Sequence, residues 1–279
     1  TKKSEYLRKI RPMVSKIHPR ISRNSPQESE EYLSLIHGLV NDKVVSLVGP
    51  ASYMENSGHG EEIESSDVVV RLNRGIESCK KYPSDLGTRT DILYSCLIEK
   101  SANAGRIDTK KLVEEKVKIV CAPPFSDYTG RSYPEFIDTF HELVNHETLL
   151  TLKTAGIPPR TIPTDLNNLL WQSIKCKPNT GFMAIYDLLA LGPKMLKIYG
   201  FSFYLDGFIP GQKSGISEEQ ECSEEEFAEK AFKSKRHIQS NMWKVAKGLL
   251  DHPKVSCDPM LDKILKLETF SKEAFRALN

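Results

Sequence analysis

Short apolar runs alternate with amphipathic segments along most of the chain. The apolar runs predict buried strands over residues 44–48, 68–71, 92–94, 117–121 and 195–199, with a short edge strand at Val255. Helical spacing of apolar residues predicts helices over 110–116, 135–144 and 180–191, and two amphipathic helices at the end of the chain. Strands that alternate with helices predict an α/β fold with a doubly wound, mainly parallel sheet.

Two capping signals divide the chain further. Ser25 and Glu28 form a capping box with Pro26 at the first helical position, so residues 1–40 are expected to be an arm followed by a helix. Residues 41–279 are expected to form a single α/β domain. A polar, glycine-rich stretch near 207–223 predicts a mobile loop that acts as a lid, and Ser223 and Glu226 begin a helix that runs or restarts through 237–250.

Charge and hydropathy exclude two broad functions. Thirty-nine basic and 37 acidic residues give a net charge of +2, which is too balanced for an unspecific nucleic-acid binder. The most apolar window, 181–201, contains Asp187, Lys194 and Lys197 and is no membrane span. Because the chain starts at Thr1, an upstream anchor could precede it. A basic arm could contact an anionic membrane, although it is more often solvated; its charges are Lys2, Lys3, Arg8, Lys9, Arg11, Lys16 and Arg20.

The cysteines are scattered. The chain has no C-x-x-C pair and no Cys/His cluster with zinc spacing. The six thiols are Cys79, Cys96, Cys121, Cys176, Cys222 and Cys257. Several lie in strand-like runs, which indicates buried thiols and a reducing compartment. We therefore expect a cytoplasmic protein, or one of the Golgi lumen if an anchor precedes the chain.

Two small-residue segments are candidates for holding phosphate. The first follows the first predicted strand and runs from Gly49 through Ser52 to the turn 57–60; it lacks G-x-G-x-x-G spacing, and a tight structural turn explains it equally well. The second, at 178–181, precedes an apolar helix whose free N-terminal amides could face an anion. Taken alone, this second segment is more simply an ordinary helix N-cap.

Together the two segments resemble the motifs of a known family. Residues 48–63, followed by Asp67-Val-Val-Val-Arg-Leu-Asn-Arg74 and Asp85-Leu-Gly-Thr-Arg-Thr-Asp91, resemble the long nucleotide-binding motif of animal-type sialyltransferases. Pro178-Asn-Thr-Gly-Phe-Met-Ala-Ile185, ending in Ile198-Tyr-Gly-Phe201, resembles the short motif of that family. The two motifs stand in the expected order and cover about a third of the chain.

The resemblance implies a Rossmann-like, single-domain, GT-A-like glycosyltransferase. Such an enzyme transfers sialic acid or a related keto-acid sugar from a cytidine monophosphate (CMP) donor to a glycan or glycolipid, with inversion and without a metal or another cofactor. The chain also has no Asp-x-Asp element for a divalent cation. By position, the nucleotide site is expected to comprise Gly49, Ala51, Ser52, Asn73, Asn179, Thr180, Gly181 and Phe201.

Transfer of this kind needs a base to take the proton of the acceptor hydroxyl, and histidine suits this role at neutral pH. His237 follows the predicted lid and matches the late histidine of the family, which supplies that base. His59, within the glycine-rich turn, is expected to form local contacts. The remaining histidines have no such context.

Several positions depart from the family pattern. Ser46 and Gly192 stand where the family has its bridging cysteines, so that disulfide cannot form, and Pro50 replaces an asparagine. The third family motif is not recognisable in 202–207, and His237 lacks its following glutamate. These departures leave open CMP-Kdo as the donor, or an inactive CMP-binding module. A dinucleotide oxidoreductase is least favoured, because the glycine spacing is wrong.

Overall fold

The computed structural model describes residues 30–98, 104, 106–124, 146–211 and 224–278. Its centre is one seven-stranded sheet in the order β5-β4-β3-β2-β1-β6-β7, in which every adjacent pair is parallel. The strands are β1 Val44–Val48, β2 Val68–Leu72, β3 Ile92–Tyr94, β4 Ile119–Ala122, β5 Pro159–Thr161, β6 Met195–Tyr199 and β7 Val255–Cys257. The predicted doubly wound, parallel α/β fold is confirmed.

Helices connect and cover these strands. In chain order they are α1 Glu30–Val40, α2 Gly60–Glu64, α3 Gly75–Ser78, α4 Pro83–Leu86, α5 Thr109–Glu114, α6 His146–Thr154, α7 Thr164–Ile174, α8 Thr180–Leu191, α9 Glu224–Phe232, α10 Gln239–Ala246, α11 Pro259–Lys266 and α12 Lys272–Arg276. Short 3-10 turns occur at Ser52–Met54 and Lys247–Leu249. Within the described part of the chain, no helix is long and apolar enough to cross a membrane.

Alternate strand residues face two helical layers, since side chains along a strand point to opposite faces. Val45 and Leu47 of β1 pack into the larger core with α1, α7, α8, α10 and α11. Val48 and Val69 face the opposite side and pack with α2 and the turn after β1. Because both faces are covered, the central strands are apolar at nearly every position, which explains the continuous runs in the sequence.

The elements agree with most of the pattern-based predictions. The helix predicted over 180–191 is found with those bounds, and β4 begins two residues later than predicted. The sequence pattern missed the short helices α2, α3 and α4, and also α6, β5 and α7. The basic arm, the capping box at 25–28, the helix predicted over 135–144 and most of the predicted lid, 212–223, lie outside the described residues.

The direction of winding reverses beside β1. This strand pairs with β2 on one side and β6 on the other, and from it the sheet extends both ways. In doubly wound folds, ligands bind beyond the carboxyl ends of the strands at such a switch point. Gly49 and Gly200, which directly follow β1 and β6, therefore stand where a ligand site is expected.

The five described cysteines, Cys79, Cys96, Cys121, Cys176 and Cys257, are all free, and Cys222 lies outside the described residues. Ser46 and Gly192, which occupy the bridging positions of the family, have other roles. The Ser46 hydroxyl lies 2.7 Å from the hydroxyl of Ser66, and Gly192 ends α8 in the left-handed conformation. Serine and glycine therefore satisfy local hydrogen-bonding and backbone requirements at positions where the family has a disulfide.

Candidate active site

One cavity opens at the carboxyl ends of five strands, β1, β2, β3, β4 and β6, and has a volume of about 230 Å³. The residues that follow these strands line one side of it, from Pro50 after β1 to Phe201 after β6. The start of α8 and the segment before α10 line the rest. The cavity therefore lies at the switch point of the sheet.

Seven of the nine predicted site residues line this cavity. They are Ala51, Asn73, Asn179, Thr180, Gly181, Phe201 and His237. Gly49 and Ser52 do not line it. Gly49 lies behind the ring of Phe201, and the backbone N–H of Ser52 donates to the carbonyl of Gly207 at the start of a 3-10 turn. The fold thus brings the long-motif, short-motif and late-histidine segments together, while the roles of the individual residues remain predictions.

The two motifs meet on the ring of Phe201. A Cβ atom at Gly49 would lie 2.8 Å from one edge of that ring, and a Cβ at Gly181 would lie 2.9 Å from another. Gly49 would also clash with the carbonyl oxygen of Gly200 at 2.4 Å. Glycine is needed at both places because the aromatic ring and the neighbouring backbone approach closely. Phe201, the last residue of the short motif, is therefore packed between Gly49 of the long motif and Gly181, and it lines the cavity.

Replacing Gly49 with alanine is expected to destabilise the protein by about 3 kcal/mol, because the new methyl group would meet backbone that cannot move aside. Urea unfolding measures this change. Gly38→Ala is the matched control: it lies on an exposed helical face with nothing within 4 Å, so alanine should be neutral or stabilising. Equal stabilities of the parent and Gly49→Ala would contradict the close packing.

The first turn of α8 presents free amides to the cavity. The side chain of Asn179 accepts a hydrogen bond of 2.8 Å from the N–H of Phe182 and so caps the helix. The N-cap interpretation is correct for Asn179, and the same turn also lines the cavity with Thr180 and Gly181. The positive end of the helix dipole of this 12-residue helix therefore faces a space large enough for an anion.

Asn73 follows β2 in the left-handed conformation, with a φ of 45°, which asparagine tolerates better than most residues. Its side-chain oxygen accepts a hydrogen bond of 3.1 Å from the N–H of Cys96. Its own N–H donates to the carbonyl of Tyr94. These two hydrogen bonds hold Asn73 between the ends of β2 and β3, where it lines the cavity.

His237 has a defined tautomer. Its Nδ1 lies 2.8 Å from the carbonyl oxygen of Lys177, and a carbonyl only accepts, so Nδ1 carries the proton. The Nε2 atom is then the nitrogen that can take a proton. Burial lowers the pKa of His237 to about 4; the hydrogen bond to Lys177 opposes this, and the charges of Arg236 and Lys177 add to it. The ring is therefore neutral at pH 7.

Lys177 and Arg236 also line the cavity and were not among the predicted site residues. Burial lowers the pKa of the Lys177 ammonium to about 7; the charge of Arg236 adds to the lowering and Cys96 opposes it. Each cation directly precedes a predicted segment in the sequence, Lys177 before Pro178 and Arg236 before His237. That adjacency is the signal by which the sequence could have indicated them.

The second half of the long motif supports the site from outside the cavity. The carboxylate of Asp85 accepts the N–H groups of Asn56 and Gly58, and Asp91 accepts the N–H of Val69. The buried guanidinium of Arg71 donates to the carbonyl of Leu86 at 2.7 Å. None of the long-motif residues from Asp85 to Asp91 lines the cavity. They hold the turn after β1 and the strand β2 in place.

The turns next to the cavity are also held in place by local contacts. His59 begins α2, with its Nδ1 3.4 Å from Glu62, and it does not line the cavity, as the expectation of local contacts implies. The start of the predicted lid is anchored, because the N–H of Ile209 donates to the carbonyl of Pro50 at 2.8 Å. Phe208, which forms an isolated bridge with Ala51, lines the cavity.

No cluster of three or more His, Cys, Asp or Glu side chains that could hold a metal ion occurs among the residues that the structure describes. The cavity is instead lined by two basic side chains and a helix N-terminus, and neither Asp nor Glu appears among its described lining residues. The charges of the site therefore suit an anionic ligand.

A fully parallel, doubly wound sheet with a cavity lined by basic residues at its switch point defines a Rossmann-like α/β protein whose site suits an anionic ligand. Residues 36–154 match the model of glycosyltransferase family 29 (sialyltransferase), a range that contains the long motif. The match confirms the resemblance to sialyltransferases over this part of the chain. The predicted enzyme class, a sialyltransferase-like glycosyltransferase, is thereby confirmed.

Solved sialyltransferase structures are similar at low identity. A mammalian sialyltransferase in complex with Gal-beta-1-3GalNAc-ortho-nitrophenol is 12% identical, with a TM-score of 0.48 over 92% of this chain and 84% of that chain. The monofunctional alpha-2,3-sialyltransferase Cst-I from Campylobacter jejuni is 14% identical, with a TM-score of 0.46 over 90% of this chain and 85% of that chain. No residue role follows from likeness at this level. No curated protein sequence matches the chain significantly.

Proposed function

We propose that the protein transfers a sialic acid or a related 2-keto acid sugar from a CMP-activated donor to a hydroxyl group of a glycan, with inversion and without a metal ion. The family supports a CMP-sugar donor, and CstII from Campylobacter jejuni has been solved with the substrate analogue CMP-3FNeuAc. The electropositive cavity supports a donor of this kind, since its phosphate and carboxylate are both anionic.

The observation that carries the proposal is the fixed tautomer of His237 at the edge of an electropositive cavity. Nδ1 donates to the carbonyl of Lys177 at 2.8 Å, which leaves Nε2 as the proton acceptor. The low pKa of the ring, about 4, keeps this nitrogen unprotonated at neutral pH. A weak base of this kind takes a proton as the acceptor hydroxyl becomes acidic during attack.

The proposed step is a single displacement. The acceptor oxygen forms a bond to the anomeric carbon while its proton moves to Nε2 of His237. On the opposite face, the bond between the anomeric carbon and the phosphate oxygen breaks, and its electron pair leaves with CMP. The amides at the start of α8 would stabilise negative charge in the donor. The other nucleotide contacts would come from Asn73 and from residues beside Phe201.

A thermal-shift series tests whether the cavity binds cytidine nucleotides selectively. CMP and CDP are expected to raise the melting temperature, while AMP, UMP and NAD are not, because the site should contact the base edge as well as phosphate. At a hundredfold excess over the dissociation constant, binding adds about 2.7 kcal/mol to the free energy of unfolding. Equal shifts with UMP or AMP would argue against a cytidine site.

Activity assays then distinguish between the two candidate donors and test whether the protein is an inactive CMP-binding module. Transfer or donor hydrolysis is measured with CMP-sialic acid and with CMP-Kdo, side by side. Turnover of CMP-Kdo alone would identify CMP-Kdo as the donor. CMP binding without turnover of either donor would identify a binding module.

Chelation tests the metal-independent mechanism. EDTA is expected to leave the transfer rate unchanged, because helix amides and cationic side chains would meet the charge of the donor. The rate is measured before and after EDTA, and again after Mg²⁺ or Mn²⁺ is added back. A rate that falls with EDTA and recovers with one of these ions would refute the metal-independent step.

A further inference from the structure

A pair of basic residues lines the cavity, and they belong to the two hydrogen-bonded segments that position His237. Lys177 is only 9% exposed, and Arg236 is the neighbour of the histidine in the sequence. The two segments are joined by hydrogen bonds: the N–H of Lys177 donates to the carbonyl of Arg236 at 3.1 Å, and Nδ1–H of His237 donates to the carbonyl of Lys177. The backbones of both basic residues are therefore fixed relative to the ring of His237, and both side chains line the same cavity.

The three groups also interact through their charges. Arg236 and Lys177 both contribute to the low pKa of His237, and Arg236 contributes to the low pKa of Lys177. Two like charges held close together in a partly buried place repel each other, and burial of an ammonium is itself unfavourable. An anion that enters the cavity beside them would relieve both costs.

The chemistry of the donor indicates which anion this is. In a CMP-linked 2-keto acid sugar, the anomeric carbon carries both the phosphate oxygen and a carboxylate. In an inverting displacement, the acceptor oxygen and its base approach from the side opposite the phosphate. The carboxylate, which projects sideways from the anomeric carbon, therefore lies nearer the base than the phosphate oxygens do. Basic side chains in the two segments that position His237 would therefore bind the carboxylate. The start of α8 would bind the phosphate.

We propose that Lys177 and Arg236 bind the carboxylate of the donor sugar and thereby restrict the enzyme to acidic, CMP-linked sugars. This inference rests on the proposed function. Ammonium and guanidinium groups both form charge-assisted hydrogen bonds to carboxylate, and guanidinium can do so with two parallel bonds.

Calorimetric binding of two ligands tests the assignment. CMP has the phosphate but no sugar carboxylate, whereas CMP-3-fluoro-N-acetylneuraminate has both groups and resists transfer. Each is titrated into the parent, Lys177→Met, Arg236→Met and Lys177→Arg. The two methionine variants are expected to lose about tenfold or more of their affinity for the fluorinated donor but less than about threefold for CMP. Lys177→Arg should retain more affinity for the fluorinated donor than Lys177→Met.

Lys235→Met is the matched control. Lys235 is exposed, precedes Arg236 and does not line the cavity, so removal of its charge should change neither affinity. Melting temperatures verify that each variant is folded, and Arg236→Met decides the question if Lys177→Met fails to fold.

Three outcomes would overturn the assignment. An equal loss of CMP and donor affinity would mean that the cations bind phosphate. Unchanged donor affinity in both methionine variants would mean that they bind no part of the donor. Failure of the parent to bind CMP would instead reject the proposed function, and this is seen before any variant is tested.

Discussion

Replacing His237 with alanine is expected to lower the transfer rate by about 10² to 10⁴, the usual contribution of a general base, while CMP affinity remains nearly unchanged. A base acts on the acceptor proton only in the transition state, so its loss appears in the rate rather than in ground-state binding. His237→Asn is the sharper variant, because its side-chain amide can still donate to the carbonyl of Lys177 but cannot take a proton. Initial rates and calorimetric CMP binding are measured together.

Two further variants serve as comparisons for the His237 variants. Asn73→Ala should weaken CMP binding itself, because Asn73 lines the cavity and is a predicted nucleotide contact. His252→Ala removes a histidine outside the cavity and should leave both quantities at the parental level. A parental transfer rate in His237→Ala would make His237 a structural residue. Loss of CMP binding in the same variant would place His237 in the phosphate site instead.

The pH profile gives an independent signature of the same base. His237 must be unprotonated to act, so kcat/KM should fall as the pH drops through its pKa. Burial, together with the charges of Lys177 and Arg236, lowers that pKa to about 4. Because Lys177, with a pKa of about 7, only gains protons as the pH drops, the profile should not fall between pH 7 and about 5 and should fall below that. An ordinary histidine would already lose activity near pH 6.5. Circular dichroism at each pH verifies that the protein remains folded.

The sequence predicted the architecture well where both faces of the sheet are buried. Such strands are apolar at nearly every position, and short runs such as Val44–Val48 are therefore visible without an alignment. The edge strand Pro159–Thr161 has no such run, because it has only three residues and begins with proline. Helix α7 was missed because its buried positions include polar residues such as Asn167 and Asn168, which weaken the apolar spacing.

The candidate site could be predicted where a family motif indicates which residues belong to it. Residues such as Asn73, Thr180 and His237 were placed by resemblance, and the fold brings them to one cavity. Gly49 was expected to contact the nucleotide, but its close approach to Gly200 and Phe201 is a packing requirement. Lys177 was missed because a single lysine is usually solvated, and only the fold shows that this one is buried beside the proposed base.

Helix α8 is held in place by a buried ion pair that the sequence did not indicate. Asp187 on α8 and Arg160 on β5 are both fully buried, and Oδ1 of Asp187 accepts from Nη2 of Arg160 at 3.1 Å. Oδ2 of Asp187 also accepts from the hydroxyl of Tyr94 at 2.6 Å. The carbonyl of Tyr94 in turn accepts the N–H of Asn73. This network joins the second half of α8 to β5 and β3, and Tyr94 of β3 also holds the backbone of Asn73.

Asp187→Ala is expected to destabilise the protein by about 3 to 5 kcal/mol, because it leaves the guanidinium of Arg160 buried without its carboxylate. Chemical denaturation with equal m-values measures this loss. Lys266→Ala is the control, since it breaks an exposed pair with Asp262 and should cost less than about 1 kcal/mol. The double variant Asp187→Leu/Arg160→Met removes both charges and should recover much of the stability. If the double variant is as unstable as Asp187→Ala, the loss comes from packing and hydrogen bonds, and the uncompensated charge is not its cause.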